Sequence, residues 1–346
     1  MKALVLEEYG RFVFQDFHTP TAGKGEVIVK VEVCSVCGSD VHGMDGSTGR
    51  RIPPIVMGHE ASGTIAALGE GVEGHSVGER VTFDSTAYCG ECYYCKTGRV
   101  NLCTNRRVFG VSCGEYRMHG AFAEYVAVPE RLLYPLPDGV SFVEAAMVEP
   151  LSVAYHAATR APVQGKSCVV IGAGTIGTLL IQVLRALGAS QVIAVDIDPG
   201  KLDFATHCGA DMAISSRDPD VVARILSYTG EGADLAFDAT GIQATFSMAL
   251  DITRKGGDVV LVGNLAPKVE LMLQSVVTRE LTLHGSCASA GEYPECLALI
   301  AQRKVDVLPL VSKCVPLSEG NEWIHRVHRG EDGLSKIVLM MNGGNL

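Results

Sequence analysis

The chain has 346 residues, of which 47% are hydrophobic, and a formal charge of −10 at neutral pH. That length suggests about two domains of roughly 100–200 residues each. The acidic balance argues against nucleic-acid binding and offers no polybasic membrane patch. No apolar run reaches the roughly 20 residues of a membrane span, and the start, MKALVLEEYGRFVF, lacks a signal-peptide layout. We therefore expect a cytoplasmic protein without nucleic-acid or membrane partners.

The first 150 residues are predicted to be rich in strands. Short alternating runs such as EVIVKVEV, ASGTIAALG and AFAEYVAV are separated by glycine and proline. This texture predicts a compact, partly barrel-like domain that carries long functional loops.

A first candidate metal site lies within this region. It combines Cys37, His59 and Glu60 with Glu149 at the end of the region. Thiolate, imidazole and carboxylate together suit zinc, and two or three protein ligands leave room for water or substrate. Such an open zinc is a Lewis acid that can stabilise an alkoxide during hydride transfer. A buried thiol and a satisfied core histidine are ordinary alternatives, so this hypothesis depends on the motifs that follow.

A second candidate metal site is a run of four cysteines with the pattern C-x2-C-x2-C-x7-C. Its members are Cys89, Cys92, Cys95 and Cys103. Four thiolates so close in sequence can complete a tetrahedral shell around one Zn²⁺ and leave no position for water. We therefore predict a closed, structural zinc in a lobe that spans about residues 86–107.

The other cysteines are interpreted as packing residues. In a large cytosolic chain, clustered cysteines more often hold metal and scattered ones are buried thiols. The scattered ones are Cys168, Cys208, Cys287, Cys296 and Cys314. Cys34 forms a C-x2-C pair with Cys37, which leaves a redox switch as an alternative. Because VIVKVEVCSVCGSD predicts a strand that runs into a turn, we expect these two thiols to differ in exposure.

From Cys168 the pattern becomes an apolar strand, a glycine turn and a helix, repeated. Strands are predicted at CVVIG, QVIAVD, DMAIS, ADLAFDAT, DVVLVG and LTLHGSC. Strands that alternate with helices in this way indicate a parallel sheet covered on both faces. Six of them match the doubly wound dinucleotide-binding sheet, so the fold class is α/β. From about Ala288 we predict helices and a late strand, KIVLMM, that returns to the first domain.

The sequence GAGTIG at 172–177 follows the first of these strands and opens a helix. The next strand ends in an acidic residue, which strengthens an otherwise weak motif. The glycines allow pyrophosphate to approach backbone N–H groups at a helix N-terminus. The acidic residue would bind the adenosine ribose hydroxyls and repel a 2′-phosphate, which favours NAD over NADP. The predicted cofactor-binding residues are Gly172, Gly174, Thr175, Ile176, Gly177 and Asp196.

Taken together, these motifs show that the sequence resembles the zinc-containing medium-chain dehydrogenase/reductase family. Within that family it resembles the sorbitol (L-iditol) or polyol dehydrogenase branch. The resemblance covers essentially the whole chain. It rests on the four-cysteine lobe and on CGSDVH at 37–42, GHEASG at 58–63, VEPLSV at 148–153 and GAGTIG at 172–177.

The resemblance implies a GroES-like catalytic domain, a Rossmann domain inserted into it, and an active site in the cleft between them. The corresponding ranges are 1–152 and 288–346 for the catalytic domain and 153–287 for the NAD-binding domain. It also implies two zinc ions per subunit, one catalytic and one structural, with NAD as the cofactor and a homodimer or homotetramer as the assembly.

Individual roles are implied residue by residue. Cys37 and His59 match the family's catalytic zinc ligands, and Glu60 matches a carboxylate that ligates zinc or stands just behind it. Glu149 falls where classical alcohol dehydrogenases carry a cysteine ligand, and which glutamate binds directly stays open.

Two further residues match the family's proton relay. Ser39 matches the hydroxyl that takes the substrate proton. His42 matches the histidine that passes this proton on through the nicotinamide ribose, a task that suits an imidazole near neutral pH. The ordinary alternatives are a turn cap for Ser39 and a surface histidine for His42.

The implied reaction is oxidation of a secondary hydroxyl of a polyol by NAD⁺, which gives a ketose. The same chemistry on a polyol phosphate, as in galactitol-phosphate dehydrogenases, on L-threonine or on 2,3-butanediol is the alternative. A zinc-free quinone-reductase-like enzyme or a non-catalytic crystallin-like protein is a third hypothesis, and Cys37, His59 and Glu149 argue against it.

The sequence departs from the animal sorbitol dehydrogenases at the substrate. Their Arg-Tyr pair is replaced by Ala288 and Ser289, which weakens the assignment to sorbitol itself. Arg50 and Arg51 precede two prolines in the loop before His59. If they face the substrate they could bind a phosphate, although an exposed basic pair is the ordinary interpretation.

The loop at 109–120 is also predicted to border the substrate. Glu115, Arg117 and His119 in this loop could contact substrate hydroxyls, although each is more often a solvated loop residue.

Overall fold

The computed structural model describes residues 1–112 and 117–341. These residues form two compact units. One contains Met1–Glu149, Tyr293–Gln302 and the segment from Asp306, and the other contains Pro150–Glu292 with Arg303–Val305. The domain boundaries predicted after residues 152 and 287 lie a few residues from the bounds of these units. The assignment of one unit to catalysis and of the other to NAD binding stays a prediction.

The N-terminal part of the first unit consists mainly of short strands. Its elements are β1 Lys2–Glu8, β2 Arg11–Asp16, β3 Glu26–Ser35, α1 Gly38–Gly43, β4 Ile55–Val56, β5 Glu60–Leu68, β6 Arg80–Phe83, β7 Thr86–Ala87, α2 Tyr93–Lys96, β8 Arg107–Val108, β9 Tyr125–Pro129, β10 Leu133–Pro135 and α3 Phe142–Ala146. Helix α4, Val148–Ala158, follows.

The second unit alternates strands and helices. Its elements are β11 Ser167–Ile171, α5 Thr175–Ala186, β12 Gln191–Asp196, α6 Pro199–His207, β13 Met212–Ser215, α7 Val221–Thr229, β14 Ala233–Asp238, α8 Gln243–Ile252, β15 Thr253–Leu261, α9 Leu273–Arg279 and β16 Thr282–Gly285.

The chain then returns to the first unit. The remaining elements are α10 Tyr293–Ala301, β17 Lys313–Pro316, α11 Gly320–His328 and β18 Ile337–Met340. Short 3-10 helices occur at Val100–Leu102, Glu130–Leu132, Leu308–Leu310 and Leu317–Glu319.

Strand β3 is the centre of the first unit. It pairs antiparallel with β5, β9 and β18, in a sheet of order β10-β6-β5-β3-β18-β17. Val27, Val29 and Val31 alternate along β3 and are completely buried, as expected for a strand with one face on a core. The pairing of β18 with β3 confirms that the C-terminal strand KIVLMM returns to the first domain.

Cys34 near the end of β3 is also completely buried, and burial raises the pKa of its thiol well above the ordinary value. Cys37 is only half-buried. The two thiols therefore differ in exposure as predicted, and Cys34 packs into the core as a neutral thiol.

The second unit contains a six-stranded sheet of order β13-β12-β11-β14-β15-β16, with every neighbouring pair parallel. All five residues of the central strand β11, SCVVI, are buried, because helices cover both faces of such a sheet. All six predicted strands are present, and the α/β fold class is confirmed.

Within the described residues, no helix is long and apolar enough to cross a membrane.

Candidate metal centres and cofactor site

The side chains of Cys37, His59 and Glu60 converge within the first unit. Their ligand atoms all lie within 4.8 Å of one another. Cys37 is the N-cap residue of α1, His59 directly precedes β5 and Glu60 opens β5. Because Glu60 pairs with Ser35 across β3 and β5, the sheet register brings His59 and Glu60 next to the turn that carries Cys37. We call these three residues the mixed cluster.

Gly58 determines how the chain enters this cluster. Its φ of +91° is in the region that favours glycine. A Cβ atom there would lie 2.3 Å from the ring of Phe122 and 2.9 Å from Cys34 Sγ. Only glycine therefore allows the backbone to pass this close to the core and to deliver His59.

Glu60 lies in a buried ion pair. Lys336 Nζ and Ser35 Oγ both donate hydrogen bonds to Glu60 Oε2, and the side chains of Lys336 and Glu60 are only 4% and 1% exposed. Burial alone would lower the pKa of Lys336, but the charges of Glu60 and Cys37 outweigh it and raise that pKa. The other oxygen, Glu60 Oε1, is buried without a hydrogen-bond partner.

Asp40 lies behind the cluster and is completely buried. Its Oδ2 accepts a hydrogen bond from the Cys37 N–H at 3.3 Å, and its Oδ1 accepts one from Arg51 Nη2 at 3.0 Å. His59 Nδ1 lies 3.5 Å from the same Oδ1. Burial alone would raise the pKa of Asp40, but His59 and Arg51 hold it well below the ordinary value.

The mixed cluster fits a zinc ion. Burial alone would lower the pKa of His59, but the charges of Asp40 and Cys37 hold it well above the ordinary value, so the cluster attracts positive charge. Sulfur, imidazole nitrogen and the unpartnered Glu60 Oε1 form a donor set that zinc accepts. The residues that would hold the ion are Cys37, His59 and Glu60.

Glu149 lies in the first turn of α4 and is not in the group of three whose ligand atoms lie within 4.8 Å. Its Oε1 accepts a hydrogen bond from Ser85 Oγ at 3.0 Å. Burial raises its pKa, the charge of Glu60 adds to the rise, and His59 opposes it. Glu149 is therefore within electrostatic range of the cluster, whereas Glu60 is the carboxylate grouped with Cys37 and His59.

Ser39 and His42 are both exposed residues of α1, three positions apart and so on one face of the helix. The Ser39 N–H donates to Cys37 Sγ at 3.4 Å, and Ser39 Oγ accepts a hydrogen bond from Arg51 Nη2 at 3.1 Å. Ser39 therefore lies next to Cys37 of the mixed cluster, with its hydroxyl bound by Arg51, and His42 lies one helical turn further on.

The four cysteines of the lobe also converge. Their sulfur atoms lie within 4.8 Å of one another, and the contacts Cys89–Cys103, Cys92–Cys95 and Cys89–Cys95 measure 3.5, 3.5 and 4.0 Å. Tetrahedral zinc with bonds of about 2.3 Å separates its sulfurs by about 3.8 Å. The sulfur positions therefore fit a closed zinc site.

The surroundings of the lobe stabilise the thiolate form of one cysteine and disfavour that of another. Hydrogen bonds from the backbone of Cys95 and Thr104 lower the pKa of Cys92 to about 5, whereas burial raises the pKa of Cys95 to about 12. Strands β7 and β8 pair at the base of the lobe, which encloses the predicted segment in a hairpin.

The three glycines of the turn between β11 and α5 have different surroundings. A Cβ at Gly172, whose φ is +95°, would lie 2.4 Å from Thr240 Oγ1, and a Cβ at Gly177 would lie 1.7 Å from the Gly172 carbonyl oxygen. Gly174 faces open space and is the N-cap residue of α5, with no side chain that caps the helix. The first-turn N–H groups, at Thr175 and Ile176, are thus available to an anion. This cradle fits a dinucleotide pyrophosphate.

Asp196 is at the end of β12, as predicted, and also holds the turn. Its Oδ2 accepts a hydrogen bond from the Ala173 N–H at 2.7 Å, and its Oδ1 accepts one from the Asp198 N–H at 2.9 Å. Each carboxylate oxygen keeps a second lone pair, so binding to ribose hydroxyls remains open to Asp196.

Sequence reasoning missed part of the surroundings of the mixed cluster. Asp40 could have been found, because an acidic residue three positions after an N-cap is a capping signal. Lys336 carries no local signal. Arg51 was interpreted as a phosphate-binding candidate, but it is 3% exposed and engaged with Asp40, whereas Arg50 is exposed.

The loop residues contribute little to this picture. His119 Nδ1 accepts a hydrogen bond from the Val56 N–H, and its ring packs on Phe17. Arg117 is exposed, and Glu115 lies outside the described residues.

Comparison with known proteins identifies the family. Residues 23–138 match the alcohol dehydrogenase GroES-like domain, and residues 175–302 match the zinc-binding dehydrogenase domain. The chain therefore belongs to the zinc-containing, GroES-like alcohol dehydrogenase family, whose members bind zinc and a nicotinamide dinucleotide.

Individual relatives align along almost their whole length. A sorbitol dehydrogenase of Halalkalibacterium halodurans is 35% identical over 96% of this chain and 97% of its own. A D-arabitol-phosphate dehydrogenase of Enterococcus avium is 33% identical over 96% and 95%. The crystal structure of a zinc-binding dehydrogenase from Sinorhizobium meliloti, bound to NADP, superposes with a TM-score of 0.91 at 29% identity, over 98% of this chain and 99% of that one.

Proposed function

We propose that this protein is a zinc-dependent oxidoreductase that transfers a hydride from a secondary alcohol of a polyol to NAD⁺ and gives a ketose. The observation that carries the proposal is the convergence of Cys37, His59 and Glu60, with the Ser39 N–H donating to Cys37 Sγ. The unit with the mixed cluster is proposed as the catalytic domain, and the unit with the glycine turn as the cofactor domain.

Each residue has a distinct task in this proposal. When bound, zinc would supply a Lewis acid for the negative charge on the substrate oxygen, and NAD⁺ would supply the hydride acceptor. Cys37, His59 and Glu60 would hold the ion. Ser39 Oγ takes the proton of the substrate hydroxyl, and His42, exposed on the same helix face, delivers it to solvent.

An unphosphorylated substrate is favoured over a phosphorylated one. One relative is a D-arabitol-phosphate dehydrogenase, so the phosphate alternative is real. Arg51, however, is buried in its ion pair with Asp40, and of the two loop arginines only Arg50 is free to meet a phosphate. Threonine and 2,3-butanediol stay in the test as smaller substrates with the same reacting group.

The preference for NAD over NADP rests on Asp196. Its carboxylate at the end of β12 would repel a 2′-phosphate, although a relative binds NADP. We expect wild-type kcat/KM to be higher with NAD⁺ than with NADP⁺. Asp196→Asn should lower the ratio of these two kcat/KM values by about tenfold, which corresponds to about 1.4 kcal/mol. Asparagine keeps an oxygen for the Ala173 N–H. Asp211→Asn, another carboxylate of this unit, is the control, and an unchanged ratio in Asp196→Asn contradicts the assignment.

Self-association is proposed through the second unit. Four of its large apolar side chains are 63–70% exposed, namely Leu265, Met272, Leu273 and Val277. They lie between β15 and β16, and β16 ends the sheet and has no second partner strand among the described residues. A second copy can cover this apolar segment and pair with the same edge, which gives a symmetric homodimer.

Light scattering after gel filtration tests this assembly. Val277→Glu is expected to shift the protein toward monomer, because it places a charge in the apolar segment. Leu308→Glu changes a leucine of the other unit that is also exposed, and it should leave the mass unchanged. A Val277→Glu protein that keeps the wild-type mass contradicts the proposed interface.

The decisive experiment for the reaction is NADH production with a panel of polyols, polyol phosphates, threonine and butanediol, before and after zinc is removed with a chelator. Chelator-sensitive turnover of an unphosphorylated polyol is the expected result. Full turnover by protein shown to be free of zinc would overturn the mechanism. Turnover of phosphorylated polyols alone would overturn the substrate class.

A further inference from the structure

Arg51 is a buried cation next to the mixed cluster. A guanidinium group carries its charge at any physiological pH and can donate hydrogen bonds but never accept them. Arg51 is nonetheless 3% exposed and directs one nitrogen, Nη2, to both Asp40 Oδ1 at 3.0 Å and Ser39 Oγ at 3.1 Å. Neutralising Asp40 explains the first contact but not the second.

The second contact determines the orientation of the Ser39 hydroxyl. Because Arg51 can only donate, Ser39 Oγ must accept, and one of its two lone pairs is occupied. Its hydrogen then points away from Arg51. The exposed side of the hydroxyl keeps one O–H and one lone pair, which is the arrangement that a group exchanging protons with a substrate hydroxyl requires.

Arg51 is itself held firmly. A Cβ atom on Gly43 would lie 2.7 Å from Arg51 Cγ, so the arginine stem passes directly over this glycine of α1. Ser112 binds the backbone on both sides of Arg51. The Ile52 N–H donates to Ser112 Oγ at 2.6 Å, and the Ser112 N–H donates to the Arg50 carbonyl at 3.0 Å.

Asp40 connects this arrangement to the mixed cluster. It accepts hydrogen bonds from Arg51 and from the Cys37 N–H, and it lies 3.5 Å from His59 Nδ1. Arg51 and Asp40 therefore hold the Ser39 hydroxyl in a fixed relation to two of the three cluster residues.

We propose that Arg51 is a positioning residue that orients the Ser39 hydroxyl for proton transfer from the substrate. This inference rests on the proposed function. It predicts that the effect of Arg51 on kcat depends on the Ser39 hydroxyl. A purely structural arginine would affect kcat equally in the presence and in the absence of that hydroxyl.

A double-mutant cycle separates the two interpretations. Arg51→Lys keeps the charge next to Asp40, but its shorter side chain and freely rotating ammonium do not fix the direction of the N–H groups as the planar guanidinium does. We expect it to lower kcat about 10- to 100-fold, as misplacement of a reacting group does, with KM changed less than about threefold. In a Ser39→Ala background the same change should lower kcat less than about twofold. Equal losses in both backgrounds would overturn the proposal.

Gly43→Ala provides an independent second variant. Its added methyl group displaces the Arg51 stem while the guanidinium stays in the protein. The loss of kcat caused by Gly43→Ala should therefore also be smaller in the Ser39→Ala background. Zinc content, measured on every variant, should remain that of the parent protein. A kcat loss that follows zinc loss instead would assign Arg51 to metal retention and overturn the positioning role.

A structural readout covers the case in which wild type oxidises none of the tested alcohols, which would count against the proposed function alone. Crystal structures of wild type and Arg51→Lys should then show one Ser39 rotamer in the former and several in the latter. An identical single rotamer in both would overturn the inference about Arg51 without reference to activity.

Discussion

The two candidate metal centres of the first unit are built in opposite ways. The lobe takes its four sulfurs from residues 89–103, and its helix α2 has no buried residue. The mixed cluster combines residues 37, 59 and 60 and supports them with buried ion pairs from Arg51 and Lys336. The lobe therefore depends on its ion for cohesion, whereas the fold prepares the mixed cluster before any ion binds.

Cys37→Ser should give the largest effect and the clearest separation of metal content from fold. We expect one zinc fewer per chain and turnover reduced at least about 1,000-fold, since a Lewis acid contributes several kcal/mol to the transition state. The melting temperature should change little, because Asp40, Arg51 and Lys336 stay in place. Metal analysis, kinetics and calorimetry measure the three quantities.

The control for that variant is Cys314→Ser, which changes a half-buried thiol outside both centres. If Cys37→Ser kept full turnover, or if it unfolded the unit, the mixed cluster would not be the prepared catalytic centre described here.

Lys336→Met should give the next largest effect. It leaves the Glu60 carboxylate buried without its cation, and breaking a buried ion pair costs about 3–5 kcal/mol of unfolding free energy. Chemical denaturation measures this loss. Lys336→Arg keeps a cation and is the matched control, and Glu60→Gln in the Lys336→Met background should restore part of the stability. A Lys336→Met protein as stable as wild type would mean that the pair does not support the cluster.

Cys92→Ser should give the smallest effect on the whole molecule. One zinc should be lost and residues 88–106 should become sensitive to limited proteolysis, while turnover falls less than about tenfold. Cys208→Ser, a half-buried thiol of the second unit, is the control. Loss of turnover as large as in Cys37→Ser would show that the lobe is not an independent structural element.

The same contrast explains what the sequence could predict. The four cysteines, the glycine turn and the six strands of the second unit were all recognisable, because their spacing is local and the backbone imposes it. Cys37, His59 and Glu60 were recognised as candidates, but their convergence depends on the register of β3 against β5, which no local pattern specifies.

The supporting residues were harder to predict. Arg51 was expected to be exposed, with phosphate binding as the alternative, because an arginine in a loop is usually exposed, and only the packing over Gly43 reveals its burial. Lys336 is 276 residues from its partner Glu60, and a single lysine before an apolar strand carries no signal of a buried ion pair. Long-range electrostatics of this kind becomes visible only when the chain is folded.

The position of β18 has a consequence for synthesis on the ribosome. This strand, which pairs with β3, and Lys336, which neutralises Glu60, are made after every strand of the second unit. The second unit has all its strands much earlier and can fold while translation continues, since domains generally fold as units during synthesis. At that stage the nascent chain contains the complete six-stranded sheet, while the mixed cluster still lacks Lys336. A chain truncated before Lys336 therefore leaves the buried Glu60 carboxylate without its cation.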